Sequence, residues 1–393
     1  MIRFNLDFVK EKKMKNKISQ LKNEKNFIVV MRGESAAIFP KESNLLIKNF
    51  PSSISPVTIN YKTRWLKNKE GNFTPGHIWI EINGFAKNLE EALVPFANAG
   101  LSILPILSLS ANAAIHDPDL ELAFDNTKGI TERDYFQCYV SPESKEIHIQ
   151  RYINIEVTLA LINSLAAHPD GDRLRRAANQ YRLALGSWRL GKETLTLAHL
   201  WMSIEALTTV KIRTEYKNRG LTNQEELAEE LGIRKKDLDP YVRKEFLLKG
   251  DSDCYSKAKD ASDGFEHGFL EYQKIRELSK EVRDKMAKYT RTAIIELCDL
   301  EKDKKNILLT EPLNKPLGYW PIVKYLRGKL IGKGDQLAAE GNTYPFIKWK
   351  SAYKTTLEDK TKKLKFSPID SITPELSQGI KFKPISHEIW QAE

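Results

Sequence analysis

The stretch Lys257-Ala-Lys-Asp-Ala-Ser-Asp-Gly-Phe-Glu-His267-Gly268, with the long segment that follows it to Leu300, decides how the rest of the chain is interpreted. That segment contains no proline, and apolar residues recur in it at steps of three and four: Phe269, Tyr272, Ile275, Val282, Met286, Tyr289, Ala293 and Leu297. The spacing predicts a long amphipathic helix with one face packed in a core. His267, one of seven histidines, stands just before this helix, close to Asp263 and Glu266.

Three further helical segments precede this stretch and place it in an all-α region over 147–300. Apolar periodicity predicts helices near 153–167, 173–190 and 194–210. The second helix carries Arg175, Arg182 and Arg189 at seven-residue steps, so the three side chains share one face. Arginine forks onto phosphates and onto buried carboxylates alike. The stripe therefore indicates either internal salt bridges or a surface that follows a phosphate backbone.

The third of these helices is apolar on nearly all sides, which is typical of a central core helix. Glu205 lies within it and is predicted to be buried. A buried carboxylate needs a cationic partner or loses its charge. An arginine of the stripe, or His199, is the expected partner.

The N-terminal part has the pattern of an α+β domain over 27–146. Short β-rich runs separated by Pro and Gly clusters predict strands near 27–32, 36–39, 44–50, 57–61, 77–82, 119–124 and 135–140. Asn88 is predicted to cap a helix, with Glu91 three residues on. His77 follows Gly76 at the start of a strand and is interpreted as a turn-side residue. Residues 1–26 are a basic lead-in.

A basic, β-rich C-terminal module is predicted over 301–393. This part contains seventeen Lys plus Arg against eleven Asp plus Glu. Aromatic residues alternate with its lysines, and they either fill a small β core or stack on single-stranded nucleic acid. They are Trp320, Tyr325, Phe346, Trp349, Tyr353 and Phe366. The fold class is therefore α+β and multidomain, with an N-terminal α+β domain, a central all-α bundle and a C-terminal β-rich module.

Composition narrows the classes of function. The 393 residues are 41% hydrophobic and 29% charged, and without a run of eighteen apolar residues no membrane span is expected. The net charge of +10 permits a polyanionic partner, although lysine is abundant throughout the chain. Cys138, Cys254 and Cys298 lie far apart and no His-x-x-x-His occurs, so neither a metal nor a cofactor is expected. Few cysteines and no apolar signal core predict a cytoplasmic location.

Three apolar helices and a His-Gly step before a last long helix resemble the HEPN superfamily, in particular its Apea-like members. The resemblance covers about residues 150–300. It is carried by Ala198-His-Leu-Trp-Met-Ser-Ile-Glu-Ala-Leu207 and by Ser262-Asp-Gly-Phe-Glu-His-Gly268. It implies a helical bundle that forms a homodimer. It also implies RNA binding or metal-independent RNA cleavage, in prokaryotic defence against phage or in toxin systems.

The resemblance also implies a candidate catalytic site. In nucleases of the superfamily the motif is an arginine, a polar residue, a few further residues and a histidine. His267 falls on the histidine and Asp263 on the polar position, while Ser262 stands in place of the arginine. One such charge-neutralising donor typically contributes on the order of 10²–10³ in rate. The candidate catalytic residues are His267, Asp263 and Glu266.

Other cations of the bundle are expected to compensate for the missing arginine. Lys257, Lys259 and Arg276 lie near His267 in the sequence. Together with Arg175, Arg182 and Arg189 they form the predicted nucleic-acid-binding set. A metal site is not part of this prediction.

A structural interpretation of the same motif stands beside the catalytic one. Asp263 and Glu266 have the spacing of a capping box, which would place His267 in the first turn of the last helix. The positive end of a helix favours an uncharged imidazole at neutral pH. Such a histidine suits a general base and a packed residue equally.

The sequence thus predicts an RNA-binding protein of prokaryotic defence or toxin type, with binding ahead of cleavage because the arginine is missing. The alternative is a non-enzymatic scaffold or sensor that dimerises through the bundle and binds a protein partner. A third option is a nucleotide or small ligand bound between the helices.

Overall fold

A large sheet packs against a layer of helices, and one continuous apolar core lies between them. The computed structural model describes residues 2–7, 24–67, 73–139, 151–188, 191–268, 270–313, 323–358 and 363–390. The strands are β1 (Ile2–Asp7), β2 (Lys25–Gly33), β3 (Ala37–Ile38), β4 (Ser43–Phe50), β5 (Val57–Lys67), β6 (Phe73–Ala86), β7 (Asp119–Asp125), β8 (Glu132–Tyr139), β9 (Arg151–Tyr152), β10 (Val323–Ile331), β11 (Phe346–Glu358), β12 (Lys363–Glu375) and β13 (Lys381–Trp390). The strand segments predicted for the N-terminal part are confirmed over the described residues, and residue 140 of the last one lies outside them.

The large sheet has the order β1-β4-β5-β6-β2-β7-β8-β10-β13. β1 runs parallel to β4, and the other neighbours in this sheet are antiparallel. β1 thus places part of the predicted lead-in (1–26) at the edge of the sheet, while residues 8–23 lie outside the described part. β3 pairs with β9, and β11 pairs with β12.

β2 lies in the middle of this sheet and is buried on both faces. Phe27, Val29 and Met31 belong to the core shared with the helices. Ile28 and Val30 belong to a second apolar cluster on the opposite face. Because successive side chains of a strand alternate between faces, a strand buried on both sides reads as a continuous apolar run.

The C-terminal strands extend the N-terminal sheet. β10 pairs with β8 on one side and with β13 on the other. Leu326 and Leu330 of β10 are buried in the second cluster beside Leu122 and Phe124 of β7, so the apolar face of the sheet continues across these strands. This arrangement differs from the separate C-terminal module predicted for 301–393, since of the described strands in that range only β11 and β12 form a sheet without N-terminal strands.

The aromatic residues of the C-terminal part are placed only in part. Phe346 and Trp349 are partly buried and pack against the second cluster, which favours the core interpretation for these two. Trp320 lies outside the described residues, and so do the side chains of Tyr325, Tyr353 and Phe366.

α1 (Leu89–Leu101) and α2 (Leu104–Ala111) connect the sheet to the bundle. The predicted cap is confirmed, because Asn88 Oδ1 accepts from Glu91 N at 2.8 Å. Among the described residues, Leu89–Ala111 is the one helical stretch long and apolar enough to cross a membrane by length and composition. Within this stretch, 61% of the most apolar window is buried in the protein, which is typical of a core helix.

The remaining helices form the central bundle and a polar insertion. The bundle contains α3 (Ile155–Ala167), α4 (Gly171–Gly186), α5 (Glu193–Asn218), α8 (Ser252–His267) and α9 (Tyr272–Leu297), followed by α10 (Lys302–Thr310). The insertion contains α6 (Gln224–Glu230) and α7 (Leu238–Tyr241) and has a small core of its own with Ile212. A mixed α/β architecture with central helices is confirmed, while the structure leaves the HEPN assignment as a prediction.

Candidate functional site

The His267 motif lies at the end of one helix of the bundle and not at the start of the next. His267 is the last residue of α8, and Gly268 caps it in the left-handed conformation with φ of 68°. Glycine adopts this conformation without the steric cost that other residues carry, so the helix ends there. α9 begins only at Tyr272. The chain therefore reverses direction at 268–271.

The predicted capping box is wrong for the same reason. Asp263 and Glu266 lie inside the last turns of α8, so neither can cap α9. A Cβ atom on Gly264 would come within 2.8 Å of Leu270 Cδ1, so this glycine lets the returning chain pack closely on α8. His267 consequently stands at the negative end of α8, opposite to the positive helix end expected from the sequence.

His267 is exposed to solvent, and within the described residues it makes no hydrogen bond or ion pair. The large side chains on either side of the chain reversal are exposed as well, Phe265 by 51% and Tyr272 by 58%. We call Phe265, His267 and Tyr272 the junction patch. Phe265 and His267 are two positions apart on α8 and so do not share a face, and Tyr272 begins the returning helix. These exposed side chains border the chain reversal and make it a candidate binding surface.

The lysines predicted to assist His267 are engaged with carboxylates. Lys257 contacts Asp253 at 3.0 Å and also Glu281. Lys259 pairs with Asp263. The hydrogen bonds to these carboxylates raise the pKa of both lysines. The two predicted catalytic acids are thus held within α8, since Glu266 also accepts from Ser262 Oγ at 3.3 Å.

Arg276 has a structural partner on another helix. Its Nε lies 3.1 Å from Oε2 of Glu193, a buried carboxylate at the start of α5. Burial opposes the charge of Glu193, but its own backbone N–H and Arg276 donate to it, and the net effect lowers the pKa of Glu193. Arg276 therefore ties α9 to α5.

Two arginines of the predicted stripe, Arg175 and Arg182, lie on α4 in the described part of the chain. Arg182 is 6% exposed and donates to Ile115 O at 3.1 Å and to Asp117 Oδ1 at 2.7 Å. Arg175 is more exposed and pairs with Asp172 on the same helix. Arg189 lies outside the described residues. Arg175 and Arg182 both pair with carboxylates, as the salt-bridge interpretation predicts, but the Arg175–Asp172 pair lies at the surface.

Glu205 is exposed, contrary to the prediction of a buried carboxylate. Its partner is Arg243 at 3.2 Å, which comes from the π-helical segment Val242–Leu247. The guanidinium of Arg243 also lies over the Trp201 ring, 5.7 Å from its centroid. The partner of Glu205 is therefore Arg243, and not His199 or an arginine of the stripe.

A second group of polar residues lies on the sheet face opposite the bundle, and the sequence interpretation missed it. We call Arg32, Arg64, His77, Trp79 and Glu121 the sheet-face site. They come from β2, β5, β6 and β7, which are adjacent in the sheet. The available signal was the alternation of His77 and Trp79 with the buried Ile78 and Ile80, which assigns the polar residues to one face.

The core of the sheet-face site is an ion pair in a buried setting. Arg32 Nε lies 3.6 Å from Glu121 Oε2, and both residues are largely buried. Burial raises the pKa of Glu121, while Arg32 and Arg64 lower it to a smaller extent. A β-bulge between Val30 and Met31 shifts the register against β7 at this point. Such bulges re-aim side chains near functional sites.

His77 is a titratable group of this site whose pKa lies well below its ordinary value. Burial and the nearby guanidinium groups of Arg32 and Arg64 lower its pKa to about 4. The imidazole is therefore uncharged at neutral pH. The interpretation of His77 as a turn-side residue is wrong, because it lies within β6.

No group of three or more His, Cys, Asp or Glu side chains among the described residues is arranged to hold a metal ion. Comparison with protein-family models found no match, and neither did comparison with curated proteins or with solved structures.

Proposed function

We propose that this protein binds RNA through the junction patch. The observation that carries the proposal is the shared exposure of Phe265, His267 and Tyr272 at the end of α8 and the start of α9. Unpaired bases stack on exposed aromatic rings, and each stack contributes about 1–3 kcal/mol. The free ring nitrogens of His267 can donate to or accept from a base or a phosphate.

Cations that attract the RNA backbone come from α9. Lys274 and Lys280 are exposed, and neither makes an ion pair among the described residues. They replace Lys257, Lys259 and Arg276 in the proposed role, because those three are held by carboxylates. With the net charge of +10, they make binding dependent on salt.

Metal-independent RNA cleavage by His267 is the second candidate activity, as the HEPN resemblance implies. His267 is accessible, but in the described part of this single chain no cation donates a hydrogen bond to its ring. The guanidinium or ammonium group needed to neutralise the phosphate charge would have to come from the second subunit of a homodimer. A cytoplasmic role in prokaryotic antiviral defence, or in a toxin system, belongs to this same proposal.

The binding proposal is tested with a single-stranded RNA oligonucleotide in a salt titration. Wild-type affinity should fall steeply between about 50 and 200 mM salt. The double variant Phe265→Ala, Tyr272→Ala should bind at least ~10-fold more weakly, because two stacking contacts are lost. The matched control is Phe85→Ala, Tyr152→Ala, which removes two aromatics of similar exposure elsewhere.

Equal weakening in the control pair would contradict a specific role of the junction patch. Absence of any RNA binding at about 50 mM salt would favour the scaffold alternative, in which the same exposed aromatics meet a protein partner. Cleavage is examined separately with His267→Ala. We expect this variant to abolish any cleavage by the wild type while RNA affinity changes little.

A further inference from the structure

The sheet-face site has an open end and a closed end. Arg64 is exposed, and His77 and Asp119 are half-buried, whereas Arg32, Trp79 and Glu121 are buried. The site lies on the face of the sheet away from the bundle, so it is separate from the junction patch. This inference therefore does not depend on RNA binding by that patch.

Arg64 is held in position without a carboxylate. Its guanidinium carbon lies 4.8 Å from the centroid of the Trp79 ring, and within the described residues Arg64 has no ion-pair partner. A guanidinium stacked on an aromatic ring keeps its N–H groups directed outward around its edge. Trp79 is itself fixed, because it stacks with Tyr344 at 5.0 Å between ring centroids.

Two buried polar atoms of the site lack hydrogen-bond partners. Trp79 Nε1 has no acceptor, and Glu121 Oε2 has no donor within hydrogen-bond distance in the described part of the chain. Buried polar atoms are normally satisfied, so such orphans indicate a site that water or a ligand completes. A ligand oxygen would satisfy the indole N–H.

The electrostatic surroundings of His77 favour an anion. Arg32 and Arg64 are the charged groups that act on the His77 imidazole, while Glu34, Asp119 and Glu121 act on Arg32. Burial lowers the pKa of His77 most, and the two arginines lower it further. Within the described residues the carboxylates lie around Arg32, so Arg64, which has no ion-pair partner there, is the cation available to an anion.

We propose that the open end of the sheet-face site binds a phosphate group, with the Arg64 guanidinium and the His77 imidazole as its hydrogen-bond donors. The stacked guanidinium supplies a rigid fork that matches phosphate oxygens. The uncharged imidazole supplies one N–H. The buried Arg32, neutralised in part by Glu121, adds a positive potential from below.

The proposal is tested by histidine-selective NMR on the full chain. Only seven imidazole signals are expected, and that of His77 is identified by its loss in His77→Gln. Inorganic phosphate, a nucleoside monophosphate and a short RNA are added separately at constant ionic strength. We expect a saturable shift of the His77 signal and a rise of its pKa from about 4, because a bound anion stabilises imidazolium.

Arg64→Gln should weaken the affinity at least about 10-fold, because one charge-assisted hydrogen-bond donor is removed. Arg176→Gln is the matched control, an exposed arginine on α4, and should bind as the wild type does. The three probes distinguish a small phosphate ester from the backbone of RNA as the source of the phosphate. No saturable shift with any probe, or unchanged affinity in Arg64→Gln, would overturn the proposal. The double variant Phe265→Ala, Tyr272→Ala tests the junction patch separately. If it loses RNA binding but keeps the phosphate-induced shift of the His77 signal, the phosphate site stands independently of that patch.

Discussion

Replacing Arg182 by glutamine tests whether the arginine stripe on α4 serves the fold or a phosphate backbone. Arg182 donates to the carbonyl oxygen of Ile115 at 3.1 Å, a buried acceptor that glutamine cannot reach with the same geometry. An unsatisfied buried acceptor costs about 1–3 kcal/mol, and a lost hydrogen bond to a charged group costs a similar amount. Asp117 is exposed and regains water, so it adds little. We expect the free energy of unfolding to fall by about 3 kcal/mol.

Arg175→Gln is the internal control for this experiment. Arg175 pairs with Asp172 at the surface of the same helix, and such exposed pairs contribute about 0–1 kcal/mol. Urea denaturation followed by tryptophan fluorescence measures both variants, and RNA affinity is measured in parallel. The reasoning is refuted if Arg182→Gln unfolds like the wild type and binds RNA more weakly, since Arg182 would then act on phosphates.

Three other predictions concern single side chains. Burial raises the thiol pKa of Cys138, Cys254 and Cys298 to about 12. We therefore expect none of the three to react with a thiol reagent in the native protein at neutral pH, and all three to react after unfolding. The pKa of His77 is about 4 in the folded protein, against an ordinary value of 6.5. The unfolded chain therefore binds a proton at higher pH than the folded protein does, and the free energy of unfolding falls as the pH drops from 6.5 to 4. His77→Gln should remove roughly 3 kcal/mol of that fall, measured by urea denaturation at each pH. Gly268→Ala should lower the free energy of unfolding by about 1 kcal/mol, because alanine is strained at this positive φ. Gly186→Ala is the control and should not lower it, because a Cβ atom there would come no closer than 3.5 Å to another residue. Thermal unfolding measures both variants.

The secondary structure could be predicted largely from residues close together in the sequence. Asn88 and Glu91 mark the start of α1, and the apolar spacing of α9 is visible without any contact to another element. The largest error concerned Gly268. Apolar spacing alone does not distinguish a helix that continues through a glycine from one that ends there, and this decides which end of a helix His267 occupies.

The partners of the charged residues could not be predicted in the same way. Arg276 and Glu193 are 83 positions apart in the chain, and Arg182 and Ile115 are 67 apart. The sequence shows that these arginines share faces with other residues, but it does not show what lies opposite. The sheet-face site was missed for this reason, since its members come from four strands whose order is not the order of the sequence.

By itself, the sequence determined the classes of segment, the basic charge and the place of His267 beside a long amphipathic helix. Those properties arise from side chains that are neighbours along the chain, so periodicity and capping reveal them. Only the tertiary structure decided that the C-terminal strands join the N-terminal sheet and that His77 lies near Arg32 and Arg64. It also decided that Lys257, Lys259 and Arg276 pair with carboxylates. Each of these depends on burial and on contacts between distant segments, which bring charges together or apart only when the chain has folded.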